Sequence, residues 1–336
     1  MRKRVWLTFM DELRRIDRID REKTERDTLG LGASQSTESK GRAVDEPPDP
    51  LRTAFERDRD RIIHCNAIRR LAHKTQVFMN PDDDHFVTRL THTLQVSQVG
   101  RSMAVALGLN EALTEAICMG HDIGHSPFGH TGEDALSTFV DGDWLHAHQS
   151  VRVLSILEPL NLTWETLDGI RAHSWKIEPG PTTPEGKLCR FADRIAYLSH
   201  DVIDAIRADV IHYRDIPFQA QALFGDNHSQ WVGTMIHAVV EGSLVAREVV
   251  MDPEIAHTMG ELREFMFERV YLRPENEVHR RRAMEMTQGL VRYYEAHPAE
   301  IPTDYRKDEA PDLTHAMDYV AGMTDRFAIR TFEGLP

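Results

Sequence analysis

The sequence predicts an all-α fold, and three observations lead to that expectation. From Leu51 onward, apolar residues recur at helical spacing almost without interruption. No run alternates apolar and polar residues strongly enough for a sheet, and only Gln76 to Val87 has the pattern of a short β-hairpin, near residues 76–88. Capping residues also stand where the periodic stretches break.

In chain order, residues 8–27 read as a charged helix. Gly30 to Pro50 then collects Gly, Ser, Thr, Asp and three prolines with little that is apolar, the composition of a linker, so Leu29 to Pro50 is expected to be poorly ordered. Residues 1–50 are accordingly expected to be an N-terminal charged segment with a flexible linker, and 51–336 a helical domain. Leu90, Leu94, Val99, Met103 and Leu107 form the first stripe that matters for function, closed by Gly108 as a C-cap, and they place His92 on a helix. Asn110 can cap the next helix, which runs through Leu113, Ala116 and Ile117 to a break at Gly120 to Gly124, leaving His121 and Asp122 at its C-terminal end. A long helix begins after Thr183 with Pro184 in its first position, and carries Leu188, Phe191, Ile195, Leu198, Val202 and Ile206 as one stripe. Asp193, Tyr197 and Asp201, four residues apart, lie opposite that stripe.

The 336 residues are 41% hydrophobic and 28% charged, as in a globular protein. No apolar run reaches the ~18 residues that span a bilayer, and acidic residues begin at Asp11, before any stretch long enough for a secretory signal. No membrane association and a cytoplasmic location are therefore expected. Cys65, Cys118 and Cys189 are odd in number and far apart, which points to neither a disulfide framework nor a cysteine zinc site. Lys+Arg 40 against Asp+Glu 54 leaves a net charge of −14, the wrong sign for general nucleic-acid binding. A small anionic ligand remains compatible with it, because one pocket can be locally positive or carry metal ions.

Ten of the 18 histidines fall between His64 and His173. The densest stretch is His121-Asp122-Ile123-Gly124-His125-Ser126-Pro127-Phe128-Gly129-His130-Thr131-Gly132-Glu133. An adjacent His-Asp pair can put an imidazole and a carboxylate on one ion, and other helices can complete the shell, with His92 and Asp193 the obvious candidates. Glycines 124, 129 and 132 would let backbone pass close to a ligand. A His-Asp dipeptide alone is mostly a surface pair, and carboxylates at four-residue spacing are ordinarily a solvated helix face. Their joint occurrence in one chain is what singles them out.

His92, then His121-Asp122, then Asp193 resembles the H…HD…D signature of the HD-domain phosphohydrolases. The segments Asp58 to Phe78, Thr88 to Leu94, Asp122 to Glu133 and Asp318 to Arg326 are similar to the deoxyguanosine-triphosphate triphosphohydrolase branch of that family, so the likeness extends from about Asp49 to the end. The resemblance implies an HD-domain helical fold and cleavage of a deoxynucleoside triphosphate (dNTP) into deoxynucleoside and triphosphate. It implies His92, His121, Asp122 and Asp193 as metal ligands, and His130 with Glu133 as a proton-transfer pair. Arg89, His125 and His146, and more weakly Arg194, match positions that reach the phosphates. Gln76, Tyr197 and Asp201 match positions around the deoxyribose. Two imidazoles and two carboxylates leave open positions on a six-coordinate ion, suiting Mn²⁺, Mg²⁺ or Fe²⁺ better than a closed structural zinc, with Mg²⁺ also accompanying the substrate phosphates. The partners implied are the dNTP substrate, a dNTP activator in some members, and further copies of the chain in a symmetric homo-oligomer. The bare metal signature also serves nucleotide phosphatases and phosphodiesterases, and a nucleotide sensor that binds without cutting would retain it.

Overall fold

The computed structural model describes residues 14–76 and 86–336. Among them are fifteen α-helices and no sheet: α1 (Arg18–Thr28), α2 (Ala54–His64), α3 (Asn66–Arg70), α4 (Arg89–Leu107), α5 (Glu111–Gly120), α6 (His130–Ser137), α7 (His146–Arg152), α8 (Trp164–Ala172), α9 (Pro184–Arg207), α10 (Phe218–Phe224), α11 (His228–Ala246), α12 (Pro253–Met266), α13 (Glu277–Ala296), α14 (Asp312–Ala321) and α15 (Asp325–Glu333). The hairpin expected near residues 76–88 falls mostly on 77–85, outside the described residues; an isolated antiparallel bridge joins Thr75 to Thr88. No described helix is long and apolar enough to cross a membrane. The three cysteines are free and buried.

Local chemistry sets the helices that carry the site. Thr88 accepts from the Thr91 N–H and starts α4, while Gly108, with φ 63°, ends it in the left-handed conformation that glycine adopts without steric cost. The Asn110 side chain accepts from Leu113 N at 3.1 Å and opens α5 two residues later. Thr183 caps α9, with Pro184 in its first turn.

α4, α5 and α9 pack against one another, and α2 packs against α5. Val96, Val99 and Met103 of α4, Leu113 and Ile117 of α5, and Leu188, Ala192 and Ile195 of α9 meet in the larger core. Each fully buried aliphatic side chain contributes ~1.5–3 kcal/mol. A second core is built from Leu136 of α6, Met286, Leu290 and Val291 of α13, and Ala316 and Val320 of α14.

The stretch expected to be a loose linker, 29–50, is instead tied down along its length. Glu25 accepts from Ser36 N and Oγ at 2.8 Å each, Glu185 from Ser34 N and Oγ, and Glu165 from Ser39 Oγ and Lys40 N. Arg42 pairs with buried Asp58 and donates to the carbonyls of Ala54 and Asn161. The serines that gave it a linker's composition are among the groups that hold it, because their partners are carboxylates 11 to 151 residues away in sequence. These contacts cross the boundary expected at Pro50. Of the helix expected over 8–27, the described part begins after Asp17, whose side chain accepts from Ile19 N and Asp20 N, and ends at Thr28.

The C-terminal helices grip the loop between α5 and α6. Asp325, first residue of α15, accepts from Thr75 N at 3.0 Å and Phe128 N at 3.1 Å. Fully buried Lys74 donates to the carbonyls of His125 and Ala321. These bonds hold Phe128, whose φ of 62° is a left-handed conformation that a phenylalanine rarely adopts.

Candidate metal centre

His92 leaves the first turn of α4 and points its Nε2 at Asp193 Oδ1 of α9, 3.1 Å away. His121 caps the end of α5. Its Nδ1 lies 2.7 Å from the Cys118 carbonyl, so Nδ1–H donates there and Nε2 is left with its lone pair, buried and without a partner. That Nε2 is 3.9 Å from Asp193 Oδ1 and 3.5 Å from Asp122 Oδ1. Of the four residues expected as ligands, His92, His121 and Asp193 bring ligand atoms within 4.8 Å of one another and Asp122 approaches through His121, and the orphaned Nε2 of His121 beside two carboxylates is a donor set that a divalent cation fits. Burial lowers the His121 pKa and keeps the ring neutral, as a ligand must be. Burial pushes the Asp122 carboxyl up, but the facing imidazoles and the Arg89 guanidinium outweigh it and hold Asp122 well below the carboxylate range.

Arg89, buried at the start of α4, spends Nη1 on Asp122 Oδ2 at 2.7 Å and leaves Nε and Nη2 without partners. His125 is buried, its Nδ1 likewise unpartnered, and its ring stacks on that of His146 with centroids 4.4 Å apart. Glycine is required at 124, where a Cβ would stand 2.1 Å from Ser150 N of α7. The close approach there is to protein backbone rather than to a ligand. Gly129, φ 61°, turns the chain into α6.

The expected pairing of Glu133 with His130 takes a different form. Glu133 Oε1 accepts from His146 N at 2.9 Å and lies 2.7 Å from His146 Nδ1, while its Oε2 is 3.8 Å from His125 Nε2. His130, exposed at the start of α6, makes no hydrogen bond to Glu133 among the described residues; its ring lies 5.6 Å from that of His125. The reason lies in the end of α7. His146 is the first residue of that helix, its N–H has no partner within the helix, and the Glu133 carboxylate supplies one. Burial lowers the His146 pKa, but the charge and hydrogen bond of Glu133 outweigh it and raise it on balance.

His173, which nothing in the sequence reading singled out, lies 3.0 Å from His146, Nε2 to Nε2. Its Nδ1 donates to the Ile170 carbonyl at 2.8 Å, and burial pushes its pKa down to about 3. The sequence signal was faint: His173 belongs to the histidine-rich interval but to no local motif.

One to two turns beyond Asp193, Tyr197 and Asp201 continue the same face of α9. Asp201 Oδ2 accepts from the Tyr271 hydroxyl at 2.7 Å and its Oδ1 has no partner. Tyr271 follows α12 and was not legible as a site residue. Arg194 lies over the Trp175 ring at 4.5 Å, its Nε unpartnered. The Gln76 carbonyl would stand 3.7 Å from a Cβ at Gly129, on the wall shared with Arg89, and Gln76 Oε1 is also unpartnered.

Burial pushes the Asp201 carboxyl from 3.8 up to about 7, against the opposing pull of the Tyr271 hydrogen bond. The native chain therefore holds this proton more tightly than the unfolded chain does. Its contribution to stability falls as pH rises from about 4 to about 7 and is level above that. Asp201→Asn, which cannot ionise, should lack this decline. Thermal unfolding from about pH 5 to about pH 8 should then show the variant gaining on the wild type as pH rises. A pH-independent difference in Tm would refute the assignment.

Family models match the chain at residues 89–198, as an HD domain, and at 249–334, as a phosphohydrolase-associated domain. Over 318 residues the chain is 44% identical to a deoxyguanosinetriphosphate triphosphohydrolase-like protein of Caldanaerobacter subterraneus, covering 93% of each chain. It is 41% identical to a protein of the same description from Desulfatibacillum aliphaticivorans, with 93% of this chain and 95% of the relative covered. Among solved structures, a hypothetical protein from Aquifex aeolicus superposes with a TM-score of 0.50 at 20% identity, over 83% of this chain and 68% of that one. A phosphohydrolase from Bacteroides thetaiotaomicron superposes with a TM-score of 0.50 at 17% identity, over 82% and 68%. At those identities the two structures speak for the fold alone.

Proposed function

Because this chain belongs to the deoxyguanosinetriphosphate triphosphohydrolase-like family of HD-domain phosphohydrolases, we propose that it is a metal-dependent hydrolase cutting dNTPs into deoxynucleoside and inorganic triphosphate. One observation carries the reading: Gln76, Arg89, His121, His125, Arg194 and Asp201, residues the family resemblance implies for the site, each hold a buried polar atom without a protein partner. His121 Nε2 calls for a cation. Arg89 Nε and Nη2 and His125 Nδ1 suit phosphate oxygens. Gln76 Oε1 and Asp201 Oδ1 suit hydroxyls or ring edges. Buried polar atoms left unsatisfied cost ~1–3 kcal/mol each, so such a set is suited to receive a polar ligand.

A divalent ion, Mn²⁺, Mg²⁺ or Fe²⁺, would be held by His92, His121, Asp122 and Asp193 and would supply Lewis-acid polarisation of a phosphoryl oxygen. Arg89 and His125 bind and orient the phosphate tail, with Arg194 and the His146 edge beside them. Tyr197, Asp201 and Gln76 hold the sugar. His130, exposed at the start of α6, moves a proton to or from the leaving oxygen. Glu133 acts through His146, fixing its tautomer and orientation.

Product analysis tests the reading. Each dNTP alone and all four together, the mixture covering a nucleotide activator, should yield deoxynucleoside and intact triphosphate with Mn²⁺ or Mg²⁺. Ribonucleotides should react about 10- to 200-fold more slowly if the 2′-hydroxyl must be buried without a partner. Pyrophosphate or orthophosphate as product would make the chain a different HD-type phosphohydrolase. No turnover under any of these conditions would make it a nucleotide sensor.

A further inference from the structure

We propose that Trp175 is a positioning residue for the phosphate tail: its ring holds the Arg194 guanidinium at the outer end of the tail with its charge undiminished, so that a preference for triphosphate over a shorter chain depends on that ring. This rests on the reading that the site takes a dNTP. Arg194 follows the expected ligand Asp193 on α9, so its side chain leaves the helix at the edge of the metal centre. It is half-buried, its Nε has no partner, and among the described residues no carboxylate pairs with it. Other arginines of the interior differ: Arg89 is paired with Asp122, and Arg152 with Asp308 and Asp318. In place of a carboxylate, Arg194 has the face of Trp175, with 4.5 Å between its guanidinium carbon and the ring centroid.

The two kinds of partner have different consequences. A carboxylate neutralises the cation it holds and occupies its N–H donors. An aromatic face attracts the cation through its quadrupole and leaves the net charge in place. A guanidinium lying over a ring also keeps the donors in its own plane free for phosphate oxygens. Burial raises the pKa of the Tyr197 hydroxyl, and the Arg194 charge is the largest opposing influence, which puts that charge in reach of the Asp193, Tyr197 and Asp201 face of α9.

The ring is itself anchored. Trp175 Nε1–H donates to the Arg190 carbonyl at 3.2 Å, one turn before Arg194, and the ring meets Phe191 edge to face with centroids 5.3 Å apart. Arg190 is buried and donates Nε to the Ala172 carbonyl at 2.9 Å and Nη2 to the Ile177 carbonyl at 2.8 Å, so it fastens both ends of the 172–177 segment to α9. An anchored ring fixes where Arg194 points before the phosphates arrive, which lowers the ordering cost of binding them. Arg89 and His125 are buried while Trp175 is exposed, so the pair stands at the rim. With the α-phosphate over the ion, the end of a long tail reaches that rim and a short tail does not.

The experiment is calorimetric binding of inorganic triphosphate and of pyrophosphate to the Mn²⁺-loaded full chain. Trp175→Leu should weaken triphosphate binding about 2- to 30-fold, the range for one cation–π contact, with metal content unchanged. Trp175→Phe keeps a ring, should recover part of that loss, and guards against a variant that fails to fold. Adding Trp175→Leu to Arg194→Ala should cost nothing further, because the ring acts through the guanidinium. Pyrophosphate affinity should change less than triphosphate affinity in every variant. No loss in Trp175→Leu, losses additive with Arg194→Ala, equal losses with Phe and Leu, or equal weakening of both anions would overturn the role of Trp175 and leave the phosphate site standing. Absence of triphosphate binding by the wild type would overturn the triphosphate reading together with it.

Discussion

His121→Ala and Asp193→Ala should each strip the ion from the His92 set and abolish turnover. His121 Nε2 is the one buried imidazole nitrogen of this set with no protein partner, and Asp193 Oδ1 lies within 4 Å of both histidines, so each substitution removes a donor at the convergence point. Lewis-acid stabilisation is worth several kcal/mol, and each ~1.4 kcal/mol is tenfold in rate, so the loss should reach about 10³-fold or more. Metal analysis of gel-filtered protein is the primary readout, because it separates ligand loss from damage to substrate binding. Unchanged metal content in both variants would remove these residues from the ligand set. Asp122→Ala is a poorer test, since it also leaves the buried Arg89 guanidinium without its 2.7 Å partner.

A second large effect is expected at His130, with a coupling pattern that the tertiary structure dictates. His130→Ala should lower kcat by about 10²–10⁴-fold, the range for a general acid or base, while the metal stays bound. Glu133→Gln should also lower kcat, but its interaction is with His146, at 2.9 Å and 2.7 Å. The double variant Glu133→Gln with His146→Ala should therefore be strongly non-additive, and Glu133→Gln with His130→Ala close to additive. Steady-state kinetics on the three single and two double variants would decide it. Strong coupling between Glu133 and His130 would restore the direct pair that the sequence resemblance implied. Loss of metal in His130→Ala would make His130 a ligand.

The structure also explains why the C-terminal segment matters to a site it barely enters. Asp325 bonds to both Thr75 and Phe128, and Lys74 ties the His125 carbonyl to the end of α14. The phosphohydrolase-associated region thus braces the loop that carries His125 and His130. Tyr271, from the same region, completes the Asp201 end.

The order of residues along the chain made legible the features that local physics controls. Helical periodicity and the caps at Thr183, Asn110 and Gly108 depend on residues a turn or two apart, and they placed His92, His121, Asp122 and Asp193 on the elements where they stand. The Asp193, Tyr197 and Asp201 face of α9 was legible for the same reason. Only the tertiary structure decided that Glu133 bonds to His146, that His173 meets His146 across 27 residues, that Tyr271 reaches Asp201, and that Ser34, Ser36, Ser39 and Arg42 tie down a segment with a linker's composition. In each case a polar side chain is committed to a partner outside its own helix or loop. Composition shows that such a group needs a partner when buried; which partner burial brings within 3 Å is set by how α4, α5, α7 and α9 pack.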